Sequence, residues 1–323
     1  MPNAPSLVVI ANPAAGRGRG ARLIPLVARA LASRSPTVSY VLHRTTYAGE
    51  ETALAREAAE AGAATILALG GDGTWGNVAR GIIASGQSPR LALLAAGTGN
   101  DLAYASGLPA HDLDATLAIA LGVGARAIDV GEADGVYFVN CAGFGFDAEV
   151  LHATQSVRWL RGHAVYLVTA ARKLFGYRGF RADVLYDDEA QTGAPDASRH
   201  HLEVVVSNGP RFGGGFVIAP GARIDDGAFD VIRIQDGSPW RRALIFASAI
   251  RGSHLGAPEV ARRLARAITL VFDAPPWFEA DGEIHQARGV TVHIRCLPLA
   301  LRLAIPELAT TDPRHRASPA SGA

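Results

Sequence analysis

Apolar and polar positions follow two different rhythms along this chain. Up to about residue 128, short and near-continuous apolar runs alternate with stretches of helical spacing. Leu7–Ala11, Val38–Leu42, Ala64–Leu69 and Leu91–Ala95 read as strands. Arg22–Ser33, Glu50–Ala61, Val78–Ala84, Asp101–Ser106 and Ala115–Leu121 read as helices between and after them. Strands that are apolar on both faces and alternate with helices predict an α/β domain with a parallel sheet covered on both sides. Ligands of such sheets bind beyond the C-terminal ends of the strands.

From about Ile128 strand-like runs dominate: Val136–Cys141, Ala182–Tyr186, Leu202–Ser207, Phe216–Ala219, Phe229–Ile234, Thr269–Phe272, Val290–Arg295 and Ala300–Ala304. Glycine-rich turns separate many of them, which predicts a β-rich, antiparallel second domain. Two helical stretches interrupt it, Ser156–Phe175 and Trp240–Ile250. Residues 187–200 are polar and read as an exposed loop. The expected division is 1–128, 129–308 and a disordered tail over 309–323.

Composition narrows the partners. Of the 323 residues 49% are hydrophobic and 19% charged, which suits a large buried core. The formal net charge of +1 gives no general attraction to nucleic acid. The two cysteines, Cys141 and Cys296, lie too far apart for a metal spacing and are expected to be buried thiols in a reducing compartment. No apolar run approaches the roughly 18 residues of a membrane span, and no signal peptide is expected before the first strand. A cytoplasmic protein with at most peripheral membrane contact follows.

The chemistry sits in three loops at the predicted strand ends. Gly70-Gly71-Asp72-Gly73-Thr74 follows the third strand. Its glycines let backbone amides approach an anion, and the helix that can start near Thr74 adds its own N–H groups. Asp72 in the middle would repel a phosphate unless a divalent cation or water stood between them, which points to a nucleotide with magnesium. Asn12-Pro13-Ala14-Ala15-Gly16-Arg17-Gly18-Arg19-Gly20 follows the first strand, and Gly97-Thr98-Gly99-Asn100-Asp101 the fourth. The first contains a variant dinucleotide fingerprint, but His43 and Arg44 stand where an acidic residue is expected, so a 2′-phosphate reading or a purely structural turn stays open. Asp101 could equally be a helix cap. Lys173 is the one lysine of the chain, and no G-x-x-x-x-G-K-[ST] or protein-kinase motif set is present.

Glu279-Ala280-Asp281-Gly282-Glu283 supplies a second acidic feature. In an extended segment residues two apart face the same side, so both carboxylates could enter one cleft. Their pairing would help one of them act as a base toward a hydroxyl. A solvated acidic turn is the plainer reading of these residues taken alone.

Taken in order, N-P-x-x-G, G-G-D-G-T and G-T-G-N-D resemble the diacylglycerol kinase catalytic-domain family, which includes bacterial lipid kinases and sphingosine and ceramide kinases. The resemblance continues through Asp129-Val130-Gly131, Phe138-Val139-Asn140, Gly143-Phe144-Gly145-Phe146-Asp147, Asp225-Asp226-Gly227-Ala228-Phe229-Asp230-Val231 and Asp281-Gly282-Glu283, so it covers about residues 6–305. It implies an α/β nucleotide-binding domain followed by a sandwich-like domain, with the active site between them. By the same resemblance ATP would be held by Asn12, Pro13, Gly16, Thr45, Gly70, Gly71, Asp72, Gly73, Thr74, Asn77, Gly97, Thr98, Asn100 and Asp101. Asp72, Asp101 and Asp129 would serve a catalytic Mg2+. A structural Mg2+ would take the Asp226 carboxylate and the carbonyls of Arg223 and Ala228, hard oxygen donors that suit it; a simple Asp-Gly hairpin is the alternative. Glu283 matches the proton acceptor, and Asp281 would orient or share the proton.

The implied activity is phosphorylation of a lipid alcohol, with diacylglycerol first and sphingoid bases or ceramides open. An NAD kinase, which shares the G-G-D-G-T loop, and a catalytically silent binding module are the other readings. The family often has an amide and a glutamate where this chain has Gly76 and Asn77. The basic and aromatic runs Arg158–Arg161 and Arg172–Arg181 could rest on anionic headgroups or be ordinary solvated helix faces. Trp277-Phe278 could line a lipid pocket or belong to the core. A homodimer is left open.

Overall fold

The computed structural model describes residues 6–34, 38–154, 169, 173–187 and 200–307. Four parallel strands stand in the order β2 (Tyr40–Arg44), β1 (Leu7–Ala11), β3 (Thr65–Gly70) and β4 (Arg90–Ala95). Every residue of β1, β3 and β4 is buried, as their unbroken apolar runs require. Helices α2 (Glu50–Glu60) and α3 (Asp72–Ala84) cover one face through Ala55, Trp75, Val78 and Ile82. Helices α1 (Ala15–Ala32) and α5 (Leu113–Leu121) cover the other through Ile24, Val27, Leu31 and Leu117. A short helix, α4 (Asp101–Ser106), follows the loop after β4.

The second half is β-rich, as expected, but its strands are drawn differently. Strand β5 (Ala125–Ala133), unforeseen in the sequence, pairs antiparallel with the last strand, β15 (Thr291–Ala304). The two predicted runs Val290–Arg295 and Ala300–Ala304 are halves of that one strand, with a register shift between Leu297 and Leu301. Its end lies parallel to β4, through Arg302–Arg90 and Leu303–Leu91, so the parallel sheet continues into the second half. The run Val136–Cys141 is split into β6 (Val136–Phe138) and β7 (Cys141–Gly145). Phe216–Ala219 forms no strand; a single bridge joins Phe212 to Phe216.

Two antiparallel layers enclose the second core. One holds β8 (Phe180–Tyr186), β12 (Ala267–Phe272) and β15. The other runs β14 (Glu283–Gln286), β13 (Trp277–Ala280), β7, β9 (His200–Ser207), β10 (Phe229–Gln235), β11 (Val260–Ala265). They meet where Phe180 and Arg181 pair with His201 and His200. Between them pack Phe138, Phe144, Tyr186, Phe229, Leu270 and Phe278. Outside β9 and β10, α6 (Phe146–Thr154) and α7 (Pro239–Ala249) close a further apolar cluster with Phe146 and Ile245. Ser238 caps α7 by accepting the Arg241 N–H, with Pro239 at the first helical position.

Most of the predicted helix Ser156–Phe175, the Arg158–Arg161 run, most of the 187–200 loop and the 309–323 tail lie outside the described residues. Both cysteines are free thiols; Cys141 is buried as expected, whereas Cys296 is only half-buried. Among the described residues no helix is long and apolar enough to cross a membrane.

Candidate active site

A cleft of about 800 Å³ opens where the loops after β1, β3 and β4 face the β13–β14 hairpin. Asn12, Gly16, Gly71, Asp72, Gly73, Thr74, Asn77, Gly97, Thr98, Asp101, Asp281 and Glu283 all line it, so the structure gathers most of the residues singled out in the sequence. Pro13, Gly70, Asn100 and Thr45 stand outside the lining. Thr45 is turned inward, its N–H donating to the Ala11 carbonyl at 2.9 Å. The second-strand loop reaches the cleft instead through Ala48 and Gly49.

Helix α3 starts at Asp72, directly after β3, and its first N–H groups have no helical partner. Its macrodipole favours an anion at that end. The loop after β1 approaches from the side. Gly16 has φ +56°, and a Cβ there would lie 1.7 Å from the Ala96 carbonyl oxygen. Only a glycine allows the first and third loops to close together. Gly16→Ala is therefore expected to weaken nucleotide binding at least tenfold and to lower stability by about 2 kcal/mol; calorimetric titration and thermal melts check both effects.

Asp72 does not stand free. Its Oδ1 accepts the Asp101 N–H at 2.7 Å and its Oδ2 the Asn100 N–H at 2.7 Å, which fixes the third loop against the second. Asp101 in turn accepts the Gly214 N–H on Oδ2 at 2.9 Å, while its buried Oδ1 has no hydrogen-bond partner. Burial, with Asp72 adding its charge, pushes Asp101 up to about 6. Among the described residues Glu51, Asp72, Asp101, Asp147, Glu279, Asp281 and Glu283 line the cleft, against Arg17 as the single basic lining residue. A polyphosphate enters such a cleft only with added positive charge. The orphaned Asp101 oxygen is a hard donor of the kind magnesium takes, but among the described residues no three acidic, histidine or cysteine side chains gather around one point.

In the metal-free protein the raised Asp101 value has a defined sign. The folded state holds that proton to about pH 6, the unfolded state only to the ordinary value near 3.8. Stability from this group is therefore present at low pH and lost as pH rises from about 4 to 6. Asp101→Asn is expected to raise metal-free stability at pH 7.5, by on the order of 1–3 kcal/mol. Denaturant melts at pH 5 and 7.5 test it.

Asp129 does not join Asp72 and Asp101. It is fully buried outside the cleft, where Oδ2 accepts the Gly227 N–H at 2.7 Å and Oδ1 the Leu299 N–H at 2.8 Å. It braces the 223–228 turn, whose Ile224 carbonyl accepts its own N–H. In that turn Asp226 is exposed and accepts the Ala228 N–H at 3.2 Å. Asp225 is already claimed by Arg126 and Arg223. Arg223, Asp226 and Ala228 therefore sit apart from the cleft.

The acidic pair is arranged differently from the extended segment anticipated. Asp281 and Gly282 form the two-residue turn of the β13–β14 hairpin, with φ +51° and +83°. The Asp281 carboxylate folds back into the protein. Its Oδ2 accepts the Val139 N–H at 2.8 Å, and Oδ1 accepts those of Asn140 at 2.8 Å and Cys141 at 3.3 Å. These bonds divert residues 139–140 from the ladder, which is why the predicted strand breaks there. Burial pushes Asp281 up to about 6, opposed by Arg80 and the three N–H groups. A Cβ on Gly76 would come within 3.0 Å of Asp281 Oδ2, so the glycine in α3 keeps room for this carboxylate.

Glu283 turns the other way, toward α3, and 38% of its side chain remains exposed. Its Oε1 accepts from Asn77 Nδ2 at 2.8 Å, and its Oε2 pairs with the Arg80 guanidinium. Behind the hairpin, Glu279 and Glu203 are buried and held well above the usual carboxylate range by that burial. Glu279 accepts the Gly282 N–H at 2.8 Å, and Glu203 the Asp147 N–H at 2.8 Å. Phe278 is wholly core, stacked on Phe144, while Trp277 stacks on His152 at the surface.

Arg80 and Glu51 escaped the sequence reading. Arg80 had a signal: an arginine inside a helix whose neighbours Val78, Ala79, Gly81 and Ile82 are all apolar or glycine. Glu51 is buried, accepting from Asn12 Nδ2 at 2.9 Å, and it looked like any helix-surface glutamate.

The diacylglycerol kinase catalytic domain matches residues 6–133, and the YegS C-terminal NAD kinase beta sandwich-like domain matches residues 140–305. The chain belongs to the diacylglycerol kinase catalytic-domain family. It is 30% identical over 272 residues to Probable lipid kinase YegS-like of Chromohalobacter salexigens, covering 80% of this chain and 81% of that one. It is 30% identical over 243 residues to Diacylglycerol kinase of Bacillus subtilis, covering 75% and 78%. A crystal structure of a diacylglycerol kinase from Bacillus anthracis str. Sterne shares the fold, with a TM-score of 0.67 at 20% identity over 93% of this chain and 96% of that one. As a member of this family, the chain is a lipid kinase-type phosphotransferase whose fold pairs a parallel α/β half with a β-rich half.

Proposed function

We propose that the protein transfers the γ-phosphoryl group of ATP to the hydroxyl of a lipid alcohol, with diacylglycerol, giving phosphatidic acid, as the leading acceptor. The observation that carries this reading is the cleft itself. One wall is made of glycine loops with free amides at the start of α3, the other of the hairpin that presents Glu283. In this reading residues 1–128 hold the nucleotide and residues 129–308 face the lipid.

Asn12, Gly16 and the Gly71–Thr74 amides bind and orient the phosphates. Asp72 positions the third loop, and Asp72 with Asp101 would hold magnesium, which when bound neutralises phosphate charge. A structural magnesium at the Arg223 and Ala228 carbonyls and Asp226 is the matching proposal for the outer turn. Glu283 takes the proton of the lipid hydroxyl as the oxygen–phosphorus bond forms and the bond to the ADP oxygen breaks. Asp281, saturated by backbone N–H groups, holds the hairpin in place rather than sharing that proton. Most of the catalysis is positioning and electrostatics. Contact with a membrane from the cytoplasmic side is part of the proposal, supported by Phe175 and Trp240, exposed and edge-on to one another at 6.4 Å.

Transfer of radiolabelled γ-phosphate from Mg–ATP to a panel of diacylglycerol, ceramide, sphingoid base and NAD tests the reading. Label on one lipid supports it and names the acceptor. Label on NAD alone, or ATP binding without any transfer, overturns it.

A further inference from the structure

Arg80 stands on α3 eight residues after Asp72, about 12 Å along the helix axis. Only 13% of its side chain is exposed. All three guanidinium nitrogens are engaged. Nε donates to the Tyr137 carbonyl at 2.8 Å and Nη2 to the Ala280 carbonyl at 3.0 Å, while Nη1 donates to Asn77 Oδ1 at 3.0 Å and pairs with Glu283 Oε2. Asn77, three residues earlier on the same helix face, holds the other oxygen of Glu283. Both oxygens of this carboxylate are thus fixed by donors on α3, the helix whose first turn forms the phosphate loop.

We infer that Arg80 is the positioning residue that sets the acceptor-side carboxylate in register with the phosphate loop. This rests on the lipid-kinase reading of the cleft. One rigid helix carries the donor site at its N-terminus and, two turns on, the planar fork that orients Glu283 and the hairpin behind it. A guanidinium suits this task because its donors have fixed directions. It also places a positive charge behind Glu283, in a cleft lined by seven carboxyl side chains among the described residues. A group held this way affects the reaction more than nucleotide binding: none of its partners belongs to the Gly70–Thr74 loop, and Asn77, the one partner that the family resemblance sets beside ATP, is engaged through its amide by Arg80 and Glu283.

Arg80→Gln and Arg80→Lys separate this role from a simple structural clip. Steady-state kinetics on the acceptor found for the wild type are normalised to the fraction of molecules that bind ATP. Arg80→Gln is expected to lower kcat by about tenfold to a hundredfold with KM for ATP within twofold of wild type. Arg80→Lys, which keeps the charge but not the fork, is expected to recover part of that loss. A lower melting temperature with kcat per binding-competent molecule unchanged in Arg80→Gln would overturn the proposal and leave Arg80 as a clip. Equal losses in kcat and in ATP affinity would overturn it too. A wild type that phosphorylates no lipid overturns the functional reading first, and this role with it.

Discussion

Glu283→Ala is expected to abolish most lipid phosphorylation, by about 10²-fold or more in kcat, the usual range for removing a general base, while ATP binding and the fold persist. The fold persists because the side chain is partly exposed and its partner keeps other bonds: Arg80 still reaches the Tyr137 and Ala280 carbonyls and Asn77. ATP binding persists because the amides of the glycine loops are untouched. Glu283→Gln sharpens the test. It preserves size and one acceptor oxygen but cannot take the proton, so it should be nearly as inactive as the alanine variant. Parallel measurement of kcat, KM for ATP and melting temperature separates these expectations. A variant within threefold of the wild-type kcat would remove Glu283 from the chemistry.

Asp281→Ala should show the opposite profile, with a large loss of stability. Three backbone N–H groups, of Val139, Asn140 and Cys141, would lose their acceptor in a buried site. Each costs about 1–3 kcal/mol when left unsatisfied. Against this stands the relief of a buried carboxylate whose value is raised from 3.8 to about 6, worth on the order of 3 kcal/mol when it is ionised. The N–H groups outweigh the relief, so a net loss of a few kcal/mol is expected at neutral pH. The folded state holds the Asp281 proton more tightly than the unfolded state, so wild-type stability from this residue falls as pH rises from about 4 to 6. The gap between wild type and Asp281→Ala should therefore be wider at pH 5 than at pH 7.5. Denaturant melts at the two values decide it; a gap that widens with pH would show that the carboxylate is stabilised in its charged form.

The parts of this protein that were legible in the sequence are those written locally. The strands β1, β3 and β4 are continuous apolar runs, and the glycine loops after them repeat one chemistry three times. The misreadings share a cause, which is contact between distant segments. β5 carries Asp129 and Gly131 within its length, so its period is broken, and it is a strand because β15 lies beside it. The run 136–141 looks like one strand until Asp281, 140 residues away, takes its N–H groups. Arg80 has its meaning from Glu283, Tyr137 and Ala280, none of which is near it in the chain. Asp281-Gly282 between two extended segments is a strong local turn signal; the turn is present, but Asp281 is buried on distant backbone N–H groups rather than solvated.

Strand β15 also bears on the order in which the molecule can be made. Its last residues lie between β4 and β5, and they come some two hundred positions after β4 itself. During synthesis the parallel sheet is therefore left with a bare hydrogen-bonding edge on β4 while the whole β-rich half emerges. Exposed edges of this kind invite pairing with other chains. The parallel sheet is therefore completed only by residues made long after its other strands, and a chain truncated before residue 301 is left with that edge of β4 open.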